Sequence, residues 1–238
     1  MKTEVAVRLN DVSVVLDGLS ILKNISFDVH PGEFVAIVGP SGCGKTTLLK
    51  LICGQQQPEQ GIVTTRGTIR RVYQQGGLLP WLTVRKNIEL GVRSLGSSAK
   101  IKKETDEILD LTQMRGFENF YPHQLSGGMR QRTEVARAVS GHGDILLLDE
   151  PFSAIDYLSR LKMREELSRL LEERPRTVIL VTHEIEEAVQ LADRVLILNE
   201  RPGTIVSDEK INIPKPRKPA STELMASTQI ILDKMGFV

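Results

Sequence analysis

The feature that most constrains this chain is a glycine-rich segment, Gly39–Thr46, with the sequence Gly-Pro-Ser-Gly-Cys-Gly-Lys-Thr. It fits the phosphate-loop pattern G-x-x-x-x-G-K-[ST] at every fixed position. The apolar run Phe34–Val38 precedes it and is typical of a strand buried on both faces. The segment 46–52, with Gly54 as its stop, follows and predicts a helix. Strand, loop and helix in this order are the context that a phosphate loop requires.

This segment predicts a site for a nucleoside triphosphate and Mg²⁺. Its glycines let the backbone curl so that N–H groups point at phosphate oxygens, and the following helix adds its positive end. Lys45 would reach the β- and γ-phosphates, and the Thr46 hydroxyl would ligate Mg²⁺. The residues predicted to bind nucleotide are Gly39, Pro40, Ser41, Gly42, Cys43, Gly44, Lys45, Thr46 and Thr47. A glycine-rich turn with a chance lysine is the alternative. The loop alone does not separate a kinase, a GTPase and a transport ATPase.

Two carboxylates stand at the end of a second apolar run. Asp149 and Glu150 directly follow residues 145–148, and ligands bind at the carboxyl ends of strands in open α/β sheets. Asp149 is suited to hold Mg²⁺, because this hard cation prefers oxygen ligands. Glu150 is suited to polarise the attacking water as a general base. A strand end capped by two solvated acids is the alternative, and the phosphate loop upstream argues against it.

Strands and helices alternate along the chain, which predicts an α/β fold with a mostly parallel sheet. After the loop we expect strands at 145–148, 178–181 and 195–198, and helices at 84–92, 99–115, 127–139, 158–173 and 184–192. Before it, the alternation of Val5, Val7 and Leu9 and the apolar stretch 25–29 predict strands. The residues from Arg201 onwards contain four prolines and predict an extended tail, with a helix around 222–235.

The segment Leu125–Gln131, Leu-Ser-Gly-Gly-Met-Arg-Gln, decides the class. Ser126 can cap a helix, and the paired glycines leave backbone N–H groups open to an anion. The segment resembles the signature sequence of ABC ATPases, and the resemblance extends over about residues 5–210. It implies an α/β P-loop NTPase (RecA-like) core with a mostly parallel sheet, an N-terminal antiparallel β part and an inserted α-helical subdomain. One ABC ATPase domain would then span residues 1–238, with a core at 1–76 and 142–200, a helical subdomain at 77–141 and a tail at 201–238.

The resemblance also implies roles for residues outside the two motifs. Gln74 looks like the family's Q-loop glutamine, Ser153–Asp156 looks like its D-loop, and His183 looks like its switch histidine. The nucleotide-binding set implied in addition to the phosphate loop is Gln74, Ser126, Gly127, Gly128, Gln131 and Asp156. The metal ligands would be Thr46, Gln74 and Asp149, and the catalytic residues Lys45, Glu150 and His183.

In this family two subunits enclose the nucleotide, one with its phosphate loop and the other with its Ser-Gly-Gly helix end. The resemblance therefore implies that ATP holds together a dimer of identical or closely related chains. One position departs from the family, which usually has an aromatic residue near residue 16 to stack on adenine. Leu16 offers apolar surface but no π-face, so adenine binding is less defined than phosphate binding.

An apolar loop, Gly76–Leu82, follows the Q-loop and holds the only tryptophan, Trp81. Such a patch with an aromatic anchor is typical of an interface, here with a membrane permease. The alternative is that the loop folds back onto the helical subdomain. The string Leu-Leu-Pro-Trp at 78–81 and the segment 201–206 resemble importers of nitrate, sulfonates or taurine.

Composition restricts the partners and the location. A formal net charge of +1 gives no indication of nucleic-acid binding, and two cysteines do not make a disulfide framework. Neither a signal peptide nor an apolar stretch near the roughly 20 residues of a membrane span is visible. We expect a peripheral subunit at the cytoplasmic face of the inner membrane, bound to permease subunits and indirectly to a substrate-binding protein. A soluble, non-transport ABC ATPase is the alternative. A non-catalytic ATP binder would be expected to lack Glu150 or His183.

Overall fold

The computed structural model describes residues 4–73, 76–141, 143–153 and 155–236. The strands are β1 Val7–Leu16, β2 Leu19–Val29, β3 Phe34–Val38, β4 Gln60–Thr65, β5 Ile69–Val72, β6 Ile145–Asp149, β7 Thr177–Thr182, β8 Arg194–Leu198 and β9 Ile205–Lys210. The helices are α1 Lys45–Ile52, α2 Val84–Val92, α3 Ser98–Leu111, α4 Gly127–Val139, α5 Tyr157–Glu173, α6 Ile185–Leu191 and α7 Thr222–Lys234.

Two sheets form the framework. The larger has six strands in the order β5-β6-β7-β3-β8-β9, and its strands run parallel except for β9, which pairs antiparallel with β8. The smaller has three antiparallel strands in the order β2-β1-β4. The predicted α/β fold, with its mostly parallel sheet and N-terminal antiparallel part, is confirmed.

The central strand β3 shows why its sequence is apolar at every position. Phe34, Ala36 and Val38 belong to one hydrophobic core, whereas Val35 and Ile37 belong to a second core on the opposite face of the sheet. Helices α5, α6 and α7 contribute to the first core, and α1 together with the antiparallel sheet contributes to the second. A strand covered on both faces exposes no side chain to water, so no polar alternation is possible.

The segment between β5 and β6 is helical, as expected. Helix α2 packs against α3 and α4, and its first turn is capped by Thr83, whose hydroxyl accepts a hydrogen bond from Lys86 N. The helix predicted at 99–115 ends earlier, at Leu111, because Gln113 adopts a left-handed conformation with φ of 54°. Within the described ranges, no helix has the length and apolarity needed to cross a membrane.

Three strands were not predicted. β4 and β5 are short and mostly not fully buried, so neither shows a clear apolar run. β9 lies in the part expected to be an extended tail, and that expectation is wrong for these residues. Ile205, Ser207 and Glu209 are half-buried and alternate with exposed residues, which is the pattern of an edge strand paired on one side. The tail therefore completes the main sheet before α7 packs on α6.

Candidate nucleotide-binding site

The phosphate loop connects the end of β3 to the start of α1. Gly42 and Gly44 have φ angles of 79° and 109°, which residues other than glycine rarely adopt. A Cβ atom on Gly44 would also lie 2.5 Å from the side chain of Leu22, and one on Gly39 would lie 2.8 Å from the Leu198 carbonyl oxygen. Glycine is therefore needed at positions 44 and 39, where the loop passes too close to β2 and β8 for a side chain.

Lys45 is held within this loop. Its side chain is almost fully buried, and its Nζ donates hydrogen bonds to the carbonyl oxygens of Gly39 at 2.7 Å and Pro40 at 2.9 Å. Two carbonyl oxygens therefore fix a full positive charge at the start of helix α1. Burial also raises the pKa of the neighbouring Cys43 thiol, so Cys43 remains a neutral part of the loop.

Thr46 and Asp149 bring two oxygen donors together across the sheet edge. The Thr46 hydroxyl donates a hydrogen bond of 3.2 Å to Asp149 Oδ1. Asp149 is buried, and Arg71 Nη2 lies 2.7 Å from its other oxygen, Oδ2. A hydroxyl and a carboxylate at hydrogen-bond distance are the donor set that Mg²⁺ prefers, so these residues fit the ion that the fold implies. The sequence did not predict the Arg71 contact.

Glu150 adopts an unusual backbone conformation. Its φ of 46° lies in the left-handed region, which a residue with a Cβ adopts only when its surroundings impose it. Two neighbours impose it here: Glu150 N donates to Val181 O at 2.9 Å, and the Glu150 carbonyl accepts from Ser153 N at 3.2 Å. The carboxylate Oε2 then lies 3.3 Å from His183 Nδ1. The structure brings two of the three predicted catalytic residues, Glu150 and His183, together.

The backbone on both sides of His183 is fixed by side chains. Thr182 donates its hydroxyl to Glu187 Oε2 at 2.8 Å and accepts a hydrogen bond from Glu184 N at 3.0 Å. Glu184 also forms an ion pair with Arg160 at the start of α5. Glu187 is buried, and this burial raises its pKa to about 7. These contacts stabilise the segment 182–187, which connects β7 to α6 and places His183 at the protein surface.

The second phosphate-binding motif lies at the start of α4. Ser126 caps this helix, since its hydroxyl accepts a hydrogen bond from Met129 N at 3.2 Å. Gly127 and Gly128 form the first turn, and Gln131 follows one turn later with a buried amide nitrogen that has no hydrogen-bond partner among the described residues. Within the part of the chain that the structure describes, a Cβ atom added to Gly128 would meet only the side chain of Ile155, at 3.8 Å. The open helix end that the sequence predicted is present.

Asp156 is used as the N-cap of α5. Its Oδ1 accepts from Ser159 N at 3.0 Å, and the hydrogen bonds to Ser159 hold the pKa of Asp156 below its usual range. In the part of the chain that the structure describes, no hydrogen bond joins Ser126 or Asp156 to residues 39–46. Among the described residues, neither Ser126 nor Asp156 is therefore hydrogen-bonded to the phosphate loop of the same chain.

Gln74, a predicted ligand of nucleotide and metal, lies outside the described residues, as does Ala154. The segment that follows Gln74 is bonded to α4: Gly77 N donates to Glu134 Oε1 at 2.9 Å, and Arg137 Nη1 donates to Gly77 O at 2.7 Å. Burial raises the pKa of Glu134. The end of the Q-loop segment is thus attached to the helix that Ser126 caps.

Two further positions concern the nucleotide site, Leu16 at the end of β1 and Arg201 beside the phosphate loop. Leu16 ends β1 beside the turn Asp17–Gly18 and is 40% exposed, so apolar surface is available there without an aromatic ring. Arg201 donates hydrogen bonds from Nε and Nη2 to Gly42 O, at 3.2 and 3.0 Å. No local pattern in the sequence indicates this contact, because it joins residues that are far apart along the chain.

Comparison with known proteins gives consistent results. A family model described as ABC transporter matches residues 22–153. An aliphatic sulfonates import ATP-binding protein of Shouchella clausii is 39% identical over 237 residues, covering 99% of this chain and 93% of that protein. The dimeric structure of a bacterial ABC transporter cassette aligns with a TM-score of 0.75 and 31% identity, covering 87% of this chain and 100% of that one. A post-hydrolysis dimeric structure of an ATP-binding cassette with ADP and Pi aligns with a TM-score of 0.74 and 32% identity, covering 87% and 100%.

Proposed function

This chain belongs to the ABC transporter family and is an ATP-hydrolysing cassette, and on that premise we propose that it powers the import of a small sulfonate-like anion. The observation that carries the import role is the similarity to sulfonate-import ATP-binding proteins over nearly the whole chain. The loop string Leu-Leu-Pro-Trp at 78–81 supports the same group of importers, which includes those for nitrate and taurine. We place the subunit at the cytoplasmic face of the inner membrane.

In the proposed mechanism, residues of the strand ends act on the phosphate end of ATP. Lys45 and the loop N–H groups hold the phosphates, and Thr46 with Asp149 holds Mg²⁺, with Gln74 as a further ligand. Mg²⁺, when bound, neutralises phosphate charge. Glu150 accepts a proton from the attacking water. His183 lies 3.3 Å from the Glu150 carboxylate and keeps this carboxylate oriented.

The γ-phosphate requires a second chain in this proposal. Ser126, Gly127 and Gly128 would close on the nucleotide held by the partner's phosphate loop, with Gln131 and Asp156 beside them. The dimeric structure of a similar cassette supports this arrangement. ATP then joins two copies, and hydrolysis removes the oxygens that both motifs hold.

We assign the permease contact to the turn that carries Trp81. Trp81 is 69% exposed, which argues against the alternative that it folds back onto the helical subdomain. The turn is nevertheless rigid, because the buried Asn87 accepts from Leu79 N and donates to the carbonyls of Leu79 and Leu82. A fixed turn with an exposed aromatic side chain is suited to anchor a partner with little loss of conformational freedom.

Trp81→Ala should weaken the permease contact without disturbing the fold. We expect retention on membranes that contain the permease to fall about tenfold, because an exposed tryptophan anchor contributes mainly to binding. Co-sedimentation of the chain with those membranes measures this. Ile62→Ala is the matched control, since Ile62 is 64% exposed on the antiparallel sheet and lies in a different part of the fold. Equal retention of both variants would contradict the docking assignment.

The substrate class is tested in the complete complex. With its permease and binding protein in vesicles, the chain should hydrolyse ATP several-fold faster when taurine or a short alkanesulfonate is present, as expected for coupled transport. A neutral sugar should give no stimulation. Stimulation by nitrate alone would shift the assignment within the anion group, and hydrolysis unaffected by any of these anions would reject it.

A further inference from the structure

A buried arginine forms an ion pair with one oxygen of Asp149, the carboxylate that we assign to Mg²⁺. Arg71 Nη2 lies 2.7 Å from Asp149 Oδ2, and the two side chains are only 7% and 3% exposed. The other oxygen, Oδ1, accepts the Thr46 hydroxyl at 3.2 Å. One side of the carboxylate thus faces a cation of the protein, and the other side faces the residue that would ligate the metal.

Arg71 is itself held in place. Strand β5 pairs in parallel with β6, which sets Arg71 opposite Leu147, close to the end of the strand that carries Asp149. Arg71 Nη1 donates to Gln55 Oε1 at 2.9 Å, and the guanidinium carbon lies 4.8 Å from the centre of the Tyr73 ring. The positive charge is therefore a fixed part of the site.

A fixed cation at this place has two opposing effects. It offsets the cost of burying the Asp149 carboxylate, which would be high without a counter-charge. It also repels a second cation that approaches the same carboxylate. Mg²⁺ binds proteins through few carboxylates and completes its ligands with substrate phosphates, so the negative charge of ATP can overcome this repulsion.

We propose that Arg71 is the resident counter-cation of Asp149 and makes metal binding at this site depend on the nucleotide phosphates. Free Mg²⁺ would then bind weakly, because Arg71 already neutralises the Asp149 carboxylate. The ion would bind together with ATP. This inference rests on the proposed function, because it takes Asp149 as the metal carboxylate.

The direct test is binding of free Mn²⁺, a spectroscopic substitute for Mg²⁺, to the full chain without nucleotide. Arg71→Met should bind free Mn²⁺ about tenfold more tightly than the wild type, because the repelling charge is gone. Arg71→Lys keeps the charge and should resemble the wild type. Arg66→Met removes an exposed arginine charge and is the matched control. Equal Mn²⁺ affinity of Arg71→Met and the wild type would overturn the proposal.

Thermal unfolding provides a second readout that does not depend on activity. Arg71→Met leaves the buried Asp149 carboxylate without a counter-charge, so the Tm of this variant should fall by roughly 5–10 °C, and millimolar Mg²⁺ should restore part of the loss. Adding Asp149→Asn to Arg71→Met should restore stability without metal. A merely structural ion pair would lower the Tm without any response to Mg²⁺, and this result would refute the counter-cation role.

These results separate the inference from the proposed function. Wild-type protein that fails to bind ATP in the presence of Mg²⁺ would reject the nucleotide site itself. Wild-type protein that binds MgATP, together with an Arg71→Met variant that gains no affinity for free Mn²⁺, would reject only the role of Arg71. If Arg71→Met does not fold, Arg71→Lys and the Arg71→Met/Asp149→Asn double variant still carry the comparison. The double variant should fold, and Arg71→Lys should bind free Mn²⁺ as weakly as the wild type does.

Discussion

Glu150→Gln should lower the rate of ATP hydrolysis by roughly 10²–10³-fold and should trap an ATP-bound dimer. Glutamine keeps the shape of the side chain but cannot accept a proton from water. The backbone hydrogen bonds that hold Glu150, which it donates to Val181 O and accepts from Ser153 N, do not involve the carboxylate and should persist. Turnover of ATP measures the first effect, and size-exclusion chromatography with MgATP measures the second.

The structure offers a matched control for this variant. Glu186 is an exposed acid in the first turn of α6, three residues after His183, so Glu186→Gln removes the same charge near the site without touching the proposed base. It should hydrolyse ATP close to the wild-type rate. If Glu150→Gln also hydrolyses ATP at nearly that rate, Glu150 is not the general base.

The phosphate end of the site could be predicted from the sequence because local patterns encode it. The loop at Gly39–Thr46 and the strand end at Asp149–Glu150 each need only neighbours along the chain, and parallel strands then bring both to one sheet edge. His183 was predicted from family resemblance. Its 3.3 Å approach to Glu150 required the structure, since it depends on the left-handed turn at Glu150.

The contacts that could not be predicted from the sequence are made by long side chains. These side chains lie in segments that show no clear pattern of strand or helix. Arg71 lies in a four-residue strand beside a second arginine, and no periodic pattern indicates which of the two points at Asp149. Arg201 reaches Gly42 from a proline-rich segment that was expected to be an extended tail. In both cases the partner is far along the chain, so only tertiary packing determines the contact.

If two chains pair to form each site, mixing two inactive variants should restore ATP hydrolysis. Lys45→Ala disables the phosphate loop, and Gly128→Asp places a negative charge at the helix end that would face the γ-phosphate. We expect Gly128 to tolerate a side chain, because among the described residues a Cβ atom there meets only Ile155, at 3.8 Å. Each variant alone should hydrolyse ATP roughly 10²-fold more slowly than the wild type, since each loses a charge-stabilising element of both sites.

A mixed dimer of these variants differs from both parents. If each site takes its phosphate loop from one chain and its Ser-Gly-Gly end from the other, the mixed dimer has one doubly defective site and one intact site. Random pairing at equal amounts should then restore about a quarter of the wild-type rate, provided that the sites act independently. If both motifs served a nucleotide within the same chain, every site in the mixture would carry a defect, and the rate would not exceed the mean of the two parents. Gly128→Ala, mixed in the same way, controls for the added side chain. Because the two outcomes differ by more than tenfold, this assay decides whether the open helix end at Ser126 acts on its own nucleotide or on that of a second copy.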